Sequence, residues 1–135
     1  MTALRPSLSL VKEAFSETTT GCAAMFGSVG ACPSATRIDN STAFTVVKDQ
    51  YFWYRITVSN GGTAPAAGVK LADIIPVRLN YETSVFDAAT WNNLVVDASY
   101  LDTAGTTTRV TADLACNLAD TGTTSATLFI RVRVK

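Results

Sequence analysis

Tyr51-Phe52-Trp53-Tyr54-Arg55-Ile56-Thr57-Val58-Ser59-Asn60 decides the fold, because its residues sort cleanly onto two faces of an extended chain. Successive side chains of a strand point to opposite sides. Phe52, Tyr54, Ile56 and Val58 therefore share one face, and Tyr51, Trp53, Arg55 and Thr57 share the other. The alternation belongs to a run from Thr42 to Asn60 and stops at Asn60-Gly61-Gly62-Thr63, where glycine removes the steric cost of a positive φ and the chain reverses.

Working outward, short apolar runs alternate with Asn/Gly/Asp/Thr clusters, and helical periodicity is nearly absent. Past a loop through Ala64-Pro65-Ala66-Ala67, residues 68–75 read as a strand with Val69, Leu71 and Ile74 inward, stopped by Pro76, which cannot donate to a ladder. Residues 79–86 and 91–100 read as two more strands. The turn Asp102-Thr103-Ala104-Gly105 then leads into residues 107–118, where Val110, Ala112, Leu114, Cys116 and Leu118 share a face. Ala126, Leu128, Ile130, Val132 and Val134 alternate with mostly polar residues, including Arg131 and Arg133, in a final strand. Leu8 and Leu10 alternate with Ser7 and Ser9 in a first strand over residues 7–15. The sum is about seven or eight short strands, the requirement of an all-β sandwich of two antiparallel sheets.

At 135 residues the chain has the size of one domain, read here as residues 1–135: the first strand, a loop over 16–41 holding Cys22 and Cys32, and the rest of the sandwich over 42–135. It is 47% hydrophobic and 16% charged, too apolar for a disordered chain. Eleven basic and eleven acidic residues cancel without a Lys/Arg cluster, which argues against nucleic acid and anionic membranes as partners. Apolar stretches are of strand length, so membrane insertion by a helix is not expected. The opening MTALRPSLSL has no basic region followed by a continuous apolar run, so either a secretory signal has been removed or there never was one.

The stretch Val46-Val47-Lys48-Asp49-Gln50, then Tyr54-Arg55-Ile56-Thr57-Val58-Ser59-Asn60-Gly61-Gly62-Thr63-Ala64, Gly68-Val69 and Ala72-Asp73-Ile74-Ile75-Pro76, resembles the conserved-repeat domain of unknown function eleven. The shared pattern is a Tyr-x-Ile-x-Val-x-Asn strand, a Gly/Ala/Pro loop, a Gly-Val strand and an Asp-x-x-Pro exit followed by Leu and Tyr, here Leu79 and Tyr81. It covers roughly the middle third of the chain; Asp49 replaces a usual glycine, and the Cys22 to Cys32 insertion is foreign to it. The resemblance implies an immunoglobulin-like sandwich from bacterial or archaeal surface proteins, commonly in tandem, with no catalytic residues to carry over. One copy stands here, which favours a subunit that assembles with other chains.

Chemistry-bearing constellations are sparse. Without histidine, Ser-His-Asp and Cys-His catalysis and the usual zinc sites are out of reach. Ser9-Leu10-Val11-Lys12 has the S-x-x-K form, but that motif works at a helix start with partner motifs this chain lacks. The aspartates are too scattered for a calcium loop, and nothing points to paired glycosidase carboxylates. No metal, cofactor or catalytic residue is expected, and the chain reads as non-enzymatic. Asn40-Ser41-Thr42 fits a glycosylation acceptor but is too short a pattern to be informative.

Cys22 and Cys32 bracket a Gly/Ala/Ser-rich loop with two readings, a disulfide worth about 3 kcal/mol in the loop-entropy account or two unrelated thiols. Cys116 reads as a small buried hydrophobe. Asp73 has the plain reading of a cap on backbone N–H groups near Pro76, and the sharper one of an acid beside a Lys–Asn isopeptide link with Lys12 as the amine. Tyr51, Trp53 and Arg55, with Arg131 and Arg133, form the candidate interface, since aromatic residues and arginine concentrate at interface centres; the competing reading is that the last strand or the cysteine loop covers them. The expectation is a structural protein packing with copies of itself or onto another surface or capsid lattice. It would sit on a cell surface as a filament or layer, or alternatively in a virion as a phage decoration or fibre protein. Either terminal strand would pair with a neighbour's sheet edge. The rival is a carbohydrate-binding module using Trp53, Tyr51 or Trp91.

Overall fold

The computed structural model describes residues 5–16, 47–86, 90–115, 118–119 and 124–135. Among these, seven strands form: β1 (Leu8–Ser16), β2 (Tyr51–Asn60), β3 (Lys70–Ile75), β4 (Leu79–Val85), β5 (Trp91–Asp102), β6 (Gly105–Leu114) and β7 (Ser125–Val134). They build a four-stranded sheet in the order β1-β2-β7-β4 and a three-stranded sheet in the order β3-β6-β5, both antiparallel. This is a two-sheet β-sandwich whose strand order differs from the immunoglobulin constant-type order by one exchange of place. In the constant-type order the fifth strand lies between the second and fourth. Here β7 lies there, and β5 instead forms a hairpin with β6.

The core sits between the sheets. Phe52, Ile56 and Val58 of β2 and Leu128, Ile130 and Val132 of β7 close against Leu71 and Ile75 of β3, Val110 and Ala112 of β6 and Trp91 of β5. The Trp91 indole N–H donates to the Thr127 carbonyl at 2.8 Å, a polar contact from one sheet to a central strand of the other. The inward face of β2 is the one its alternation gives, with Tyr54 half-buried beside Phe52 at a ring separation of 5.2 Å.

β3 corrects one assignment: Ile74 faces outward, and Ile75 is the residue in the core. Alternation from Leu71 sends 73 and 75 inward, so Asp73 lies on the core side between two apolar neighbours. β6 ends at Leu114, short of the expected residue 118, although Leu118 is still buried and bridges to Ala66. Residues 42–46, Cys22, Cys32 and Cys116 lie outside the described residues, and so do the expected strand start, the disulfide and the buried thiol.

Asn60 fixes the end of β2. The Ser7 and Gly62 N–H groups donate to its Oδ1 at 3.1 and 3.0 Å. Its Nδ2 donates to the carbonyls of Ala64 and Leu118 at 2.8 and 3.2 Å. One buried side chain thus ties the lead-in to β1, the glycine turn and the Leu118 segment together. Gly62 is needed for the same reason: a Cβ there would run into the backbone of Arg5, Pro6 and Ser7.

Candidate interaction surface on the four-stranded sheet

The outer face of the four-stranded sheet carries all five residues of the expected interface, and its register explains how they meet. Tyr51 stands opposite Arg133 and Trp53 opposite Arg131 across β2 and β7, while Glu13 and Phe15 of β1 stand opposite Arg55 and Trp53. Side chains directly opposite in an antiparallel pair are about 5 Å apart at Cβ, within reach of a guanidinium. The Arg131 guanidinium lies 4.0 Å from the Tyr51 ring centroid, and that of Arg133 lies 6.0 Å from it with Glu82 at 3.5 Å. Arg55 stacks over Phe15 at 4.7 Å and sets both Nε and Nη2 on Glu13 Oε1, at 3.2 and 2.8 Å.

Of the two readings of Trp53, open interface residue or covered side chain, its burial agrees with the second. It is on the outer face, as alternation requires, but only 2% exposed, and Phe129 beside it is 4% exposed. Neither belongs to the core between the sheets, so this face has a buried apolar centre of its own. Alternation assigns a side of the sheet and says nothing of what lies over it, which is why it left both readings of Trp53 open. Trp91 is likewise buried. Neither tryptophan offers a ring face on which a sugar could stack. Glu13, Phe15, Glu82 and Phe129 were missed by the sequence reading, and only the cross-strand register could have supplied them.

Lys12 and Asp73 do meet, across the gap between the two sheets. Lys12 Nζ donates to Asp73 Oδ1 at 2.8 Å and lies 4.1 Å from the Tyr54 ring centroid. The expected backbone cap is therefore replaced by an ion pair. Asp73 Oδ2 is buried with no hydrogen-bond partner among the described residues. Asn60 does not supply the amide of the isopeptide reading: it is opposite Leu8, four residues or about 13 Å along β1 from Lys12, with its Nδ2 already donating to carbonyls. Beside this pair, a groove of about 220 Å³ opens between the edges of β1 and β3, lined by Leu8, Leu10, Val58, Val69 and Leu71. Among the described residues no group of three or more Cys, Asp or Glu is arranged to hold a metal ion.

No family model, curated protein or solved structure matches this chain.

Proposed function

We propose that this sandwich is a non-enzymatic structural subunit that assembles with copies of itself on an outer surface, as part of a cell-surface filament or layer. The observation that carries the reading is the placing of its exposed apolar side chains. Among the described residues, six of the nine large exposed apolar side chains lie on edge strands at the two opposite sides of the sandwich, Leu8, Leu10 and Val11 on β1 and Val95, Val96 and Leu101 on β5, with Leu101 75% exposed; the other three are Val47, Ile74 and Val77. Exposed apolar groups on sheet edges are the usual means by which β-domains associate, and a monomer ordinarily blunts them. Apolar patches on opposite sides let each subunit contact two neighbours, through the regular edge of β1 and through side-chain packing on β5, whose register shifts interrupt strand pairing. The balanced charge of the chain adds no long-range repulsion between copies. The resemblance to a repeat of bacterial and archaeal surface proteins points the same way.

Electron microscopy of purified protein, with sizing chromatography alongside, tests the reading. Ordered filaments, sheets or discrete oligomers are the expected result. A monomer at every concentration that attaches only to a preformed capsid lattice would replace the cell surface with the virion setting, and a monomer with saturable glycan binding would overturn the structural reading.

A further inference from the structure

Four strands in this fold have a free edge among the described residues: β1, β3, β4 and β5. Three are interrupted or short. β4 carries a register shift between Tyr81 and Thr83, β5 carries two, and β3 is six residues long and closed by Pro76. Such irregularities are how β-proteins prevent edge-to-edge pairing. β1 has none: nine consecutive residues pair with β2 without a shift. Its second half is protected by the inward charge of Lys12, but Leu8, Leu10 and Val11 are 50, 56 and 50% exposed. Leu8 and Leu10 point toward the sandwich interior at a place where the smaller sheet has no strand to cover them, which is why the groove beside them is open.

Resting on the assembly reading above, we propose that β1 pairs antiparallel with β1 of a second copy about a twofold axis at Ser9, so that Leu8 of each subunit lies opposite Leu10 of the other. β7 has no free edge to lend, since β2 and β4 flank it, and this corrects the expectation that either terminal strand could pair outward. The hydrogen-bond phase suits β1. The Arg5 and Ser7 carbonyls accept from Thr63 and Gly61 N–H groups, so odd residues turn their backbone groups toward β2 and even residues turn theirs to the free edge. Leu8 and Leu10 therefore have the N–H and C=O groups that two copies would exchange. In this register Pro6, which has no N–H, falls opposite Lys12 and ends the ladder, while Arg5 falls opposite the acidic Glu13. Leu8 to Val11 is uncharged, so the two copies do not repel. Each copy lays Leu8 and Leu10 beside the other's and extends both grooves into one covered seam, giving a closed, self-complementary contact.

Sedimentation equilibrium of the full chain and of Leu10→Lys tests this, with Ser9→Cys as an independent probe. Residue 9 would face its own copy as a non-hydrogen-bonded pair, at a Cα separation of about 4.5 Å, within the range a disulfide spans. Two results are expected. The wild type self-associates, and the dissociation constant of the β1 contact rises at least tenfold in Leu10→Lys. Mild oxidation of Ser9→Cys links the two introduced thiols across the axis, as identified by peptide mass, and Val11→Cys does not reproduce the link. If the wild type assembles but Leu10→Lys assembles equally and Ser9→Cys stays unlinked at that position, this contact is overturned while the assembly reading stands on another surface. A wild type that remains monomeric throughout overturns both.

Discussion

Asn60→Ala is the most informative single substitution in this fold, because one buried amide serves five backbone groups from three segments. Removing it takes one of two donors from the Leu118 carbonyl, which keeps the Ala66 N–H at 2.8 Å, so the loss there is that of an ordinary hydrogen bond, about 1 kcal/mol. The Ser7, Gly62 and Ala64 groups are only part-buried and recover water, at about 0.5 kcal/mol each. The sum is about 2.5 kcal/mol, a large share of the about 5–15 kcal/mol that holds a domain together. For a chain of this size it corresponds to a fall in Tm of about 10 °C. Asn60→Asp sharpens the test. It keeps an acceptor for the Ser7 and Gly62 N–H groups but turns its second oxygen toward carbonyls, where only a protonated carboxyl can donate. The buried acid then has a folded-state pKa above its unfolded value, so its stability is retained at low pH and lost as pH rises through the folded pKa. Urea denaturation at pH 4 and pH 7 reads both effects. Asn60→Ala should lose the same amount at both, and Asn60→Asp should lose clearly more at pH 7. Equal stability of all three proteins at both pH values would refute the tie described for Asn60.

The remaining predictions rest on other contacts. Gly62→Ala should cost about 1–3 kcal/mol because its new Cβ meets the backbone of Arg5 to Ser7, while Gly61→Ala, with open space around it, should stay within about 0.5 kcal/mol in the same thermal melts. Lys12→Met should cost about 1–3 kcal/mol by leaving Asp73 without its cation, and Lys12→Met/Asp73→Leu should recover most of that loss; a double-mutant cycle on urea midpoints measures it. Trp53→Ala should cost about 3–5 kcal/mol, as a core tryptophan does, whereas an interface residue open to solvent would cost little. With Trp53 and Trp91 both buried, fluorescence should be blue-shifted and poorly quenched by acrylamide until the chain unfolds.

Much of the architecture can be read from the residues, because burial on one face of a strand imposes a period of two that nothing else in the chain imitates. Phe52, Ile56 and Val58, or Leu128, Ile130 and Val132, declare their face without help. β3 shows where the method weakens. Its six residues include adjacent Ile74 and Ile75, and hydrophobicity alone cannot choose between neighbours; the choice is made by the register with β6, which pairs Leu71 with Ala112 and Ile75 with Thr108. Tyr51, Trp53, Arg55, Arg131 and Arg133 lie on the outer face as alternation has it, and the burial of Trp53 there falls to the competing reading that other chain covers it, which no local pattern could decide. Asn60 appeared first as the end of a strand before a glycine turn. Its partners span residues 7 to 118, and no local pattern announces contacts of that range. Lys12 and Asp73 likewise meet only because β1 and β3 fall on the same side of the sandwich.

The position of β7 also has a consequence for the order of events during synthesis. β3, β5 and β6 can pair among themselves once residue 114 has left the ribosome, but β2 and β4 have no contact with each other in the larger sheet until β7 arrives between them. The strand made last of the seven is the keystone of that sheet, and its inward residues fill the middle of the core. Until it docks, β2 and β4 each present an unsatisfied ladder to the surroundings. The nascent chain thus passes through a stage at which it is richest in free edges and poorest in core, and mispairing with a neighbouring nascent chain competes most strongly with folding at that stage.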